Sequence, residues 1–536
     1  MTTTKTTTAT AAKEVSLEQL AERVRILLIN GKSAEARAQI LQIIDADVTG
    51  VKALHQGFKM MLALKDFSAA LDYIDRALAQ VPEQPVFTIE KAQLLLRMNK
   101  RQDALALLAH AQTLMPDNLR YLHSIAQIYS QLDLPELALP ILVRVSESAP
   151  ADINLRYELA LAQFFNGDMK AAKANLDAVI AARPDAAEAI HVRSTLNKAT
   201  PKQNHVAFLT ERANPSKPED APVWFALGKE LEDLGQDDEA FKAFVTANKL
   251  KSSKISYHES AELGALQNLI RSTQELELPR ASTTKTKVTP IFVVSLPRTG
   301  STLIDRMLDS HSDIKSIGEL QDFPRLLAEA IEEQVAQSGG KLSREAAVQH
   351  IDYAALGARY QANIEALADG HAYVVDKLPF NFMYCGLIRK ALPHAKIVHV
   401  QRDLMDTGYA IFKTLFNQAY LYSYEQKHLA RYLAAYTQVM EHWRAKLGKH
   451  LIEVSYENVI EAPEAAAQAL FKQLKISWQP EVMKFNQNQS SARTASAAQV
   501  REPVYASSVG KWQRHAIGLK PLLLELQKHG LAPDNQ

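Results

Sequence analysis

A chain of 536 residues with 47% apolar and 23% charged residues has the composition of an ordinary globular protein and is long enough for two or more domains. A formal net charge of +1 gives no bulk attraction to nucleic acid or membrane surfaces, and no apolar run reaches the length of a membrane span. Cys385 is the single cysteine, which excludes an intramolecular disulfide and a cysteine zinc site and fits a reducing, cytoplasmic setting. Residues 1–16 open with a Thr/Ala-rich stretch that lacks an apolar core, so they are expected to be a disordered lead and not a signal peptide.

Residues 17–252 repeat themselves. Pro82, Pro116, Pro150, Pro184 and Pro218 stand 34 residues apart, and Ala36, Ala70, Ala104, Ala138, Ala172 and Ala240 keep the same register. A period of that length, built of two amphipathic helices, resembles the tetratricopeptide repeat (TPR). The unit from Ala221 to Ser252 is the fullest, with Trp224, Gly228, Ala240, Phe244 and Ala247. Ala and Gly suit close helix crossings, the aromatic residues fill gaps, and Pro ends the second helix. Counting back predicts units starting near residues 17, 51, 85, 119, 153, 187 and 221. The unit near 187 is interrupted by Lys198-Ala-Thr-Pro-Lys-Gln-Asn204, where a kink or long loop is expected. Such a solenoid offers a concave groove, read either as a dock for a peptide or protein or as a scaffold for its neighbour or for a homodimer.

Residues 253–288 form a connector with a helical stretch, Glu259 to Glu275, and a polar stretch from Ser282 to Lys287. From 289 to 536 the pattern becomes β-rich runs alternating with helical ones. Strands are expected at 290–295, 372–376, 395–400 and 450–455, and the alternation predicts an α/β domain with a mostly parallel sheet. Ligands in such domains bind at the carboxyl ends of the strands.

Four clusters fall at strand ends. Pro290-Ile-Phe-Val-Val-Ser-Leu-Pro-Arg-Thr-Gly-Ser-Thr-Leu303 runs from a strand through a tight turn into a helix-compatible segment, the layout of an anion cradle. Its cation is Arg298, before Gly300; the Gly-Lys-Ser/Thr ending of a Walker loop is missing, which argues against a nucleotide triphosphatase or P-loop kinase. Gly318-Glu319, Asp376-Lys377-Leu-Pro379 and Arg402-Asp403 are the others. Two arginines, each closing a strand, fit a ligand with two phosphate groups.

With these motifs in place, residues from about 289 to 516 resemble a sulfotransferase that uses 3′-phosphoadenosine 5′-phosphosulfate (PAPS). The array in front matches the bacterial TPR-repeat sulfotransferases, which are related to the tyrosylprotein sulfotransferases. The resemblance implies an α-solenoid followed by a P-loop-like sulfotransferase domain. It implies that Arg298 binds the 5′-phosphosulfate, with Thr299, Gly300, Ser301 and Thr302 as donors around it. Glu319, 21 residues on, corresponds to the family's general base, and Lys377 to the lysine that meets the charge developing on the leaving phosphate. By the same resemblance Arg402 takes the 3′-phosphate, Tyr456 lies near the adenine, and Ser508, Lys511 and Trp512 belong to a C-terminal loop that closes over the donor.

Two positions depart from the family. Ala410 stands eight residues after Arg402, where a serine is usual, with Thr407 one turn earlier as a substitute. Gly510 stands where tyrosylprotein sulfotransferases have a serine, which puts direct transfer of a protein-tyrosine activity in question. The expected reaction moves a sulfuryl group from PAPS to a hydroxyl, whether of a protein tyrosine, a glycan or a small phenol, by in-line displacement without a metal. The competing reading is an interaction scaffold whose sulfotransferase-like domain is degenerate.

Overall fold

A computed structural model describes residues 17–44, 50–98, 100–279, 286–416, 418–487 and 508–532. The expected disordered lead and the start of the polar stretch, Ser282 to Lys285, lie outside the described residues. The chain divides after Ala149 into two compact units.

The first unit holds four helix pairs: α1 (Leu17–Ile29) with α2 (Ser33–Ile44), α3 (Val51–Ala63) with α4 (Phe67–Gln80), α5 (Pro85–Arg97) with α6 (Arg101–Leu114), and α7 (Leu119–Gln131) with α8 (Pro135–Ser148). The second unit opens with three more: α9 (Ile153–Asn166) with α10 (Met169–Ala182), α11 (Ala187–Thr195) with α12 (Val206–Arg212), and α13 (Ala221–Asp233) with α14 (Asp237–Ser252). Each first helix begins at the residue that the 34-residue period predicts. Asp66 and Asp168 cap α4 and α10, accepting from Ala69 N at 3.1 Å and Ala171 N at 3.0 Å. The in-register alanines Ala36, Ala70, Ala104, Ala138, Ala172 and Ala240 are all fully buried, as close helix crossings require. The interruption near 198 is found: α11 stops at Thr195, and Thr200 and Gln203 exchange two backbone hydrogen bonds of 3.0 Å before the short α12.

After α15 (Glu259–Ser272), shorter than the expected helical stretch, the chain runs β1 (Thr289–Ser295), α16 (Ser301–Asp309), β2 (Ile314–Ser316), α17 (Asp322–Gln337), α18 (Arg344–Ala347), α19 (Tyr353–Leu367) and β3 (Tyr373–Asp376). It continues through α20 (Cys385–Ala391), β4 (Lys396–Gln401), α21 (Leu404–Phe412), α22 (Gln426–Leu447), β5 (Leu451–Ser455), α23 (Tyr456–Glu461), α24 (Pro463–Leu474) and α25 (Lys520–Lys528). The five strands form one parallel sheet in the order β2-β3-β1-β4-β5. Four of them were expected; β2 was not, because three residues carry no period.

Both faces of the sheet are covered, so β1 reads as a continuous apolar run. Phe292 and Val294 pack in the larger core with the last repeats and α22, while Ile291 and Val293 pack in a second core with α16 and α24. The larger core joins Val223, Phe225 and Phe244 of the last repeat to Tyr409, Phe412 and Leu522 of the α/β region. Among the described residues, no helix is long and apolar enough to cross a membrane.

Candidate active site

The turn after β1 is strained. Arg298 sits at φ +66° and Gly300 at φ +93°. A non-glycine residue in the left-handed region is uncommon and clusters at ligand-handling turns. Glycine is required at 300, since a Cβ there would collide with the Tyr456 ring. The helix α16 starts at Ser301, so its first N–H groups have no intrahelical acceptor and its positive dipole end faces the turn. Ser301 and Thr302 sit at that end, nearly buried. Thr299 is turned inward: its hydroxyl donates to the Leu296 carbonyl at 2.9 Å, which leaves its backbone N–H as the group it could offer a ligand.

Beside this turn, the ends of β2 and β3 bring Glu319 and Lys377 together as an ion pair. The Lys377 side chain is 3% exposed and that of Glu319 35%, so the carboxylate has an open side. Glu319 lies in the loop before α17. The Lys377 backbone N–H donates to the Gly318 carbonyl at 3.0 Å and clamps the two strand ends. Two buried acids lie nearby: Asp305, which the sequence did not single out, and Asp376 of the Asp376-Lys377 cluster. Burial pushes the Asp305 carboxyl up to about 6, against the pull of nearby Lys377. Burial also raises Asp376 to about 8, against a hydrogen bond from the Tyr360 hydroxyl at 2.7 Å.

At the end of β4, Arg402 is a tie between three segments. Its Nη1 donates to the Arg298 carbonyl at 2.9 Å, its Nη2 donates to the Ser508 carbonyl at 2.6 Å, and its guanidinium lies over the Tyr456 ring, 4.8 Å from the centroid. The Tyr456 and Ser508 hydroxyls are 2.7 Å apart. Arg298, Arg402, Tyr456 and Ser508, expected from separate motifs, are thus in one place. Thr407 is fully buried on α21, and its hydroxyl has no hydrogen-bond partner among the described residues. Ala410 is also buried, one turn further on. A cavity of about 170 Å³ adjoins Arg402 and is lined by Thr299, His399, Tyr436 and Arg444 among others.

The segment from Ser508 to His515 is held by groups that sequence reasoning missed. Asp406 on α21 accepts from Gly510 N at 2.6 Å and Trp512 N at 3.1 Å. Lys511 pairs at 2.7 Å with Glu232, a carboxylate of the repeat helix α13. Glu232 also receives Lys413 at 2.7 Å and the Tyr409 hydroxyl at 2.5 Å. Burial alone would raise the Glu232 carboxyl, but Lys413 and Lys511 hold it far below the usual range. Burial brings the Lys413 ammonium down to about 8 even though Glu232 supports its charge. A partial sequence signal for Glu232 exists in the repeat register: four of the six earlier units carry Leu28, Leu62, Leu96 and Phe164 at that position, and the other two carry Ser130 and Lys198. Asp406 has no such signal, being an ordinary helix residue until the chain returns to it 104 positions later.

His311 bonds the Ser477 carbonyl at 2.9 Å, His394 bonds Gln361 at 3.1 Å, and His399 bonds the Tyr436 hydroxyl at 2.5 Å. Cys385 and Trp443 are fully buried, and Trp478 is partly so. Among the described residues no group of three or more His, Cys, Asp or Glu side chains could hold a metal ion.

Residues 290–480 match the sulfotransferase family, and residues 61–128 and 221–254 match tetratricopeptide repeats. The chain is 27% identical over 472 residues to an uncharacterized protein of Aquifex aeolicus, covering 85% of this chain and 57% of that protein. It therefore spans little more than half of that relative's length. It is 26% identical over 298 residues to protein-tyrosine sulfotransferase 1 of Danio rerio, covering 52% of this chain and 79% of that one. Among solved structures, the sulfotransferase domain from the curacin biosynthetic pathway aligns at 19% identity with a TM-score of 0.34, over 46% of this chain and 97% of that domain.

Proposed function

From a chain that carries a sulfotransferase-family domain behind tetratricopeptide repeats, with distant similarity to protein-tyrosine sulfotransferases, we propose an enzyme that moves a sulfuryl group from PAPS to a hydroxyl acceptor. One observation carries the reading. All five strands of one parallel sheet deliver a polar residue to the same edge: the Arg298 turn, Glu319, Lys377, Arg402 and Tyr456. That edge is where parallel sheets bind ligands.

The residues present fit a nucleotide with two phosphates. A strained turn at a helix N-terminus faces one anion, and Arg402 supplies a second fixed cation with an aromatic ring beneath it. The buried, unpartnered hydroxyl of Thr407 is a donor on the helix that Arg402 opens, and it stands in for the serine that Ala410 replaces. PAPS would supply the activated sulfuryl group. Arg298 and the N–H groups of Thr299 to Thr302 hold the equatorial oxygens around sulfur. Glu319 takes the proton of the acceptor hydroxyl as that oxygen bonds to sulfur. Lys377 meets the negative charge left on the phosphate oxygen as the bond from sulfur breaks. Both act by placement and electrostatics, the main levers in transfers of this kind. Tyr456, Ser508, Lys511 and Trp512 close the site. The repeats present a peptide or protein, which makes a protein hydroxyl the favoured acceptor.

Labelled PAPS offered to tyrosyl peptides, phenols and glycans tests the assignment in the intact chain. Transfer to one class, lost in Glu319→Ala while adenosine 3′,5′-bisphosphate still binds, is the expected result. Unchanged turnover in Glu319→Ala removes it from the mechanism.

A further inference from the structure

The register of α13 places a carboxylate where four of the six earlier units have an apolar side chain and the other two have Ser130 and Lys198, and that carboxylate is 6% exposed. A buried acid is costly unless it is paired and fully hydrogen-bonded. Glu232 is paired, but with groups outside the repeats. Lys413 Nζ reaches its two oxygens at 2.9 and 2.7 Å, Lys511 Nζ reaches it at 2.7 Å, and the Tyr409 hydroxyl donates to it at 2.5 Å. The Tyr409 hydroxyl, having donated, accepts from His515 Nε2 at 2.7 Å.

Lys413 directly follows α21, the helix that Arg402-Asp403 opens. Lys511 lies between Gly510 and Trp512, the two residues that Asp406 holds by their N–H groups. The second helix of the same repeat backs this arrangement. The Phe241 ring stacks on Phe412 at 5.9 Å and on His515 at 5.6 Å, and Asn248 donates to the Phe412 carbonyl at 2.9 Å.

We propose that Glu232 is a positioning residue for the donor site: it gathers Lys413 and Lys511 side by side and thereby fixes the segment Ser508–Trp512 against Arg402 and Tyr456. The proposal rests on the reading of this edge of the sheet as a donor site. Two ammonium groups on one carboxylate leave one net positive charge, and Lys413 stands near enough to Arg298 for the two charges to repel. Without the carboxylate, like charges would drive Lys511 and its segment away. With it, the excess positive charge stays where a bisphosphate binds. The last repeat is then a wall of the transferase site as well as a member of the array.

The test uses the intact chain and adenosine 3′,5′-bisphosphate as the probe in calorimetric titration. Glu232→Gln is expected to weaken binding roughly 10-fold, the size of one charge-assisted contact, and Lys511→Met by a similar factor. The double variant should bind no more weakly than Lys511→Met alone, because a residue that acts through another is not additive with it. A purely structural role would not give that non-additivity. Equal affinity in Glu232→Gln and wild type, or full addition of the two losses, overturns the proposal. Should Glu232→Gln fail to fold, Glu232→Gln/Lys413→Met removes the stranded buried cation, and the same cycle is run in that background with the same criteria. Absence of binding in the wild type would instead overturn the donor-site reading itself, and this proposal with it.

Discussion

Among the described residues, ion pairs with a buried partner occur in the second unit and not in the first. In the first unit Arg37 meets Asp66 at 2.7 Å and Arg144 meets Asp117 at 2.6 Å, but Arg37 is 51% exposed and Asp117 is 93% exposed. Such pairs contribute little in water. In the second unit Lys377 pairs with Glu319 at 3% exposure of its side chain, and Glu232 holds Lys413 and Lys511 at 6%. Desolvation makes these arrangements expensive, and they do not stabilise the chain better than apolar packing would. The contrast teaches where to look for function. The first repeats are held by burial of Leu, Ala and Tyr side chains, and no described ion pair of that unit has a fully buried partner. The second unit keeps costly charges at the carboxyl edge of its sheet.

Breaking one partner of a buried cluster should have the largest effect. Glu232→Ala leaves two lysines without their counter-ion, and urea unfolding should show a loss of roughly 3–5 kcal/mol. A loss under about 1 kcal/mol, the size expected of an exposed pair, would erase the contrast.

The pH dependence sharpens it further. Burial raises the Asp376 carboxyl from its ordinary 3.8 to about 8, so between these values the folded chain keeps a proton that the unfolded chain has released. The stability this group contributes is full below about pH 4 and falls as pH rises through about 8, by at most about 1.4 kcal/mol per pH unit. Asp376→Asn should flatten that fall when urea midpoints are compared at several pH values. An unchanged slope would mean that Asp376 is ionised throughout.

Packing within the repeats can be perturbed separately from charge. A Cβ at Gly228 would meet the Phe244 ring at 2.6 Å, and Phe244 is buried. Gly228→Ala should destabilise by about 1–3 kcal/mol, read by thermal unfolding, with a neutral result pointing to a looser helix crossing. The smallest effect is expected from Arg37→Ala in the first unit, within about 1 kcal/mol of the wild type.

The array was legible because burial repeats in register. Ala70, Ala104 and Ala138 sit at helix crossings where a larger side chain would not fit, and the alanines recur with them. The sheet was legible strand by strand where the run was long and apolar, as in Ile291 to Val294. It failed for β2, whose three residues derive their strand state from pairing with Tyr373, Val374 and Val375. The polar positions were legible by motif, and the fold brings Arg298, Arg402, Tyr456 and Ser508 together. Their roles toward a donor are the substance of the proposal. What sequence could not supply was the ties between distant segments. Asp406 and Gly510 are separated by 104 positions, and Glu232 and Lys413 by 181. Nothing local at either end of such a pair marks its partner. Glu232 alone left a partial trace, as an acid at a position that is apolar in four of the six earlier repeats.

Titration of the intact chain and of Arg298→Ala with adenosine 3′,5′-bisphosphate tests the central claim most directly. The account predicts micromolar binding to the wild type and its loss in the variant. No binding to the wild type, or equal binding to both, would contradict a donor site at the turn after β1 and leave the repeats as the part of the molecule to pursue.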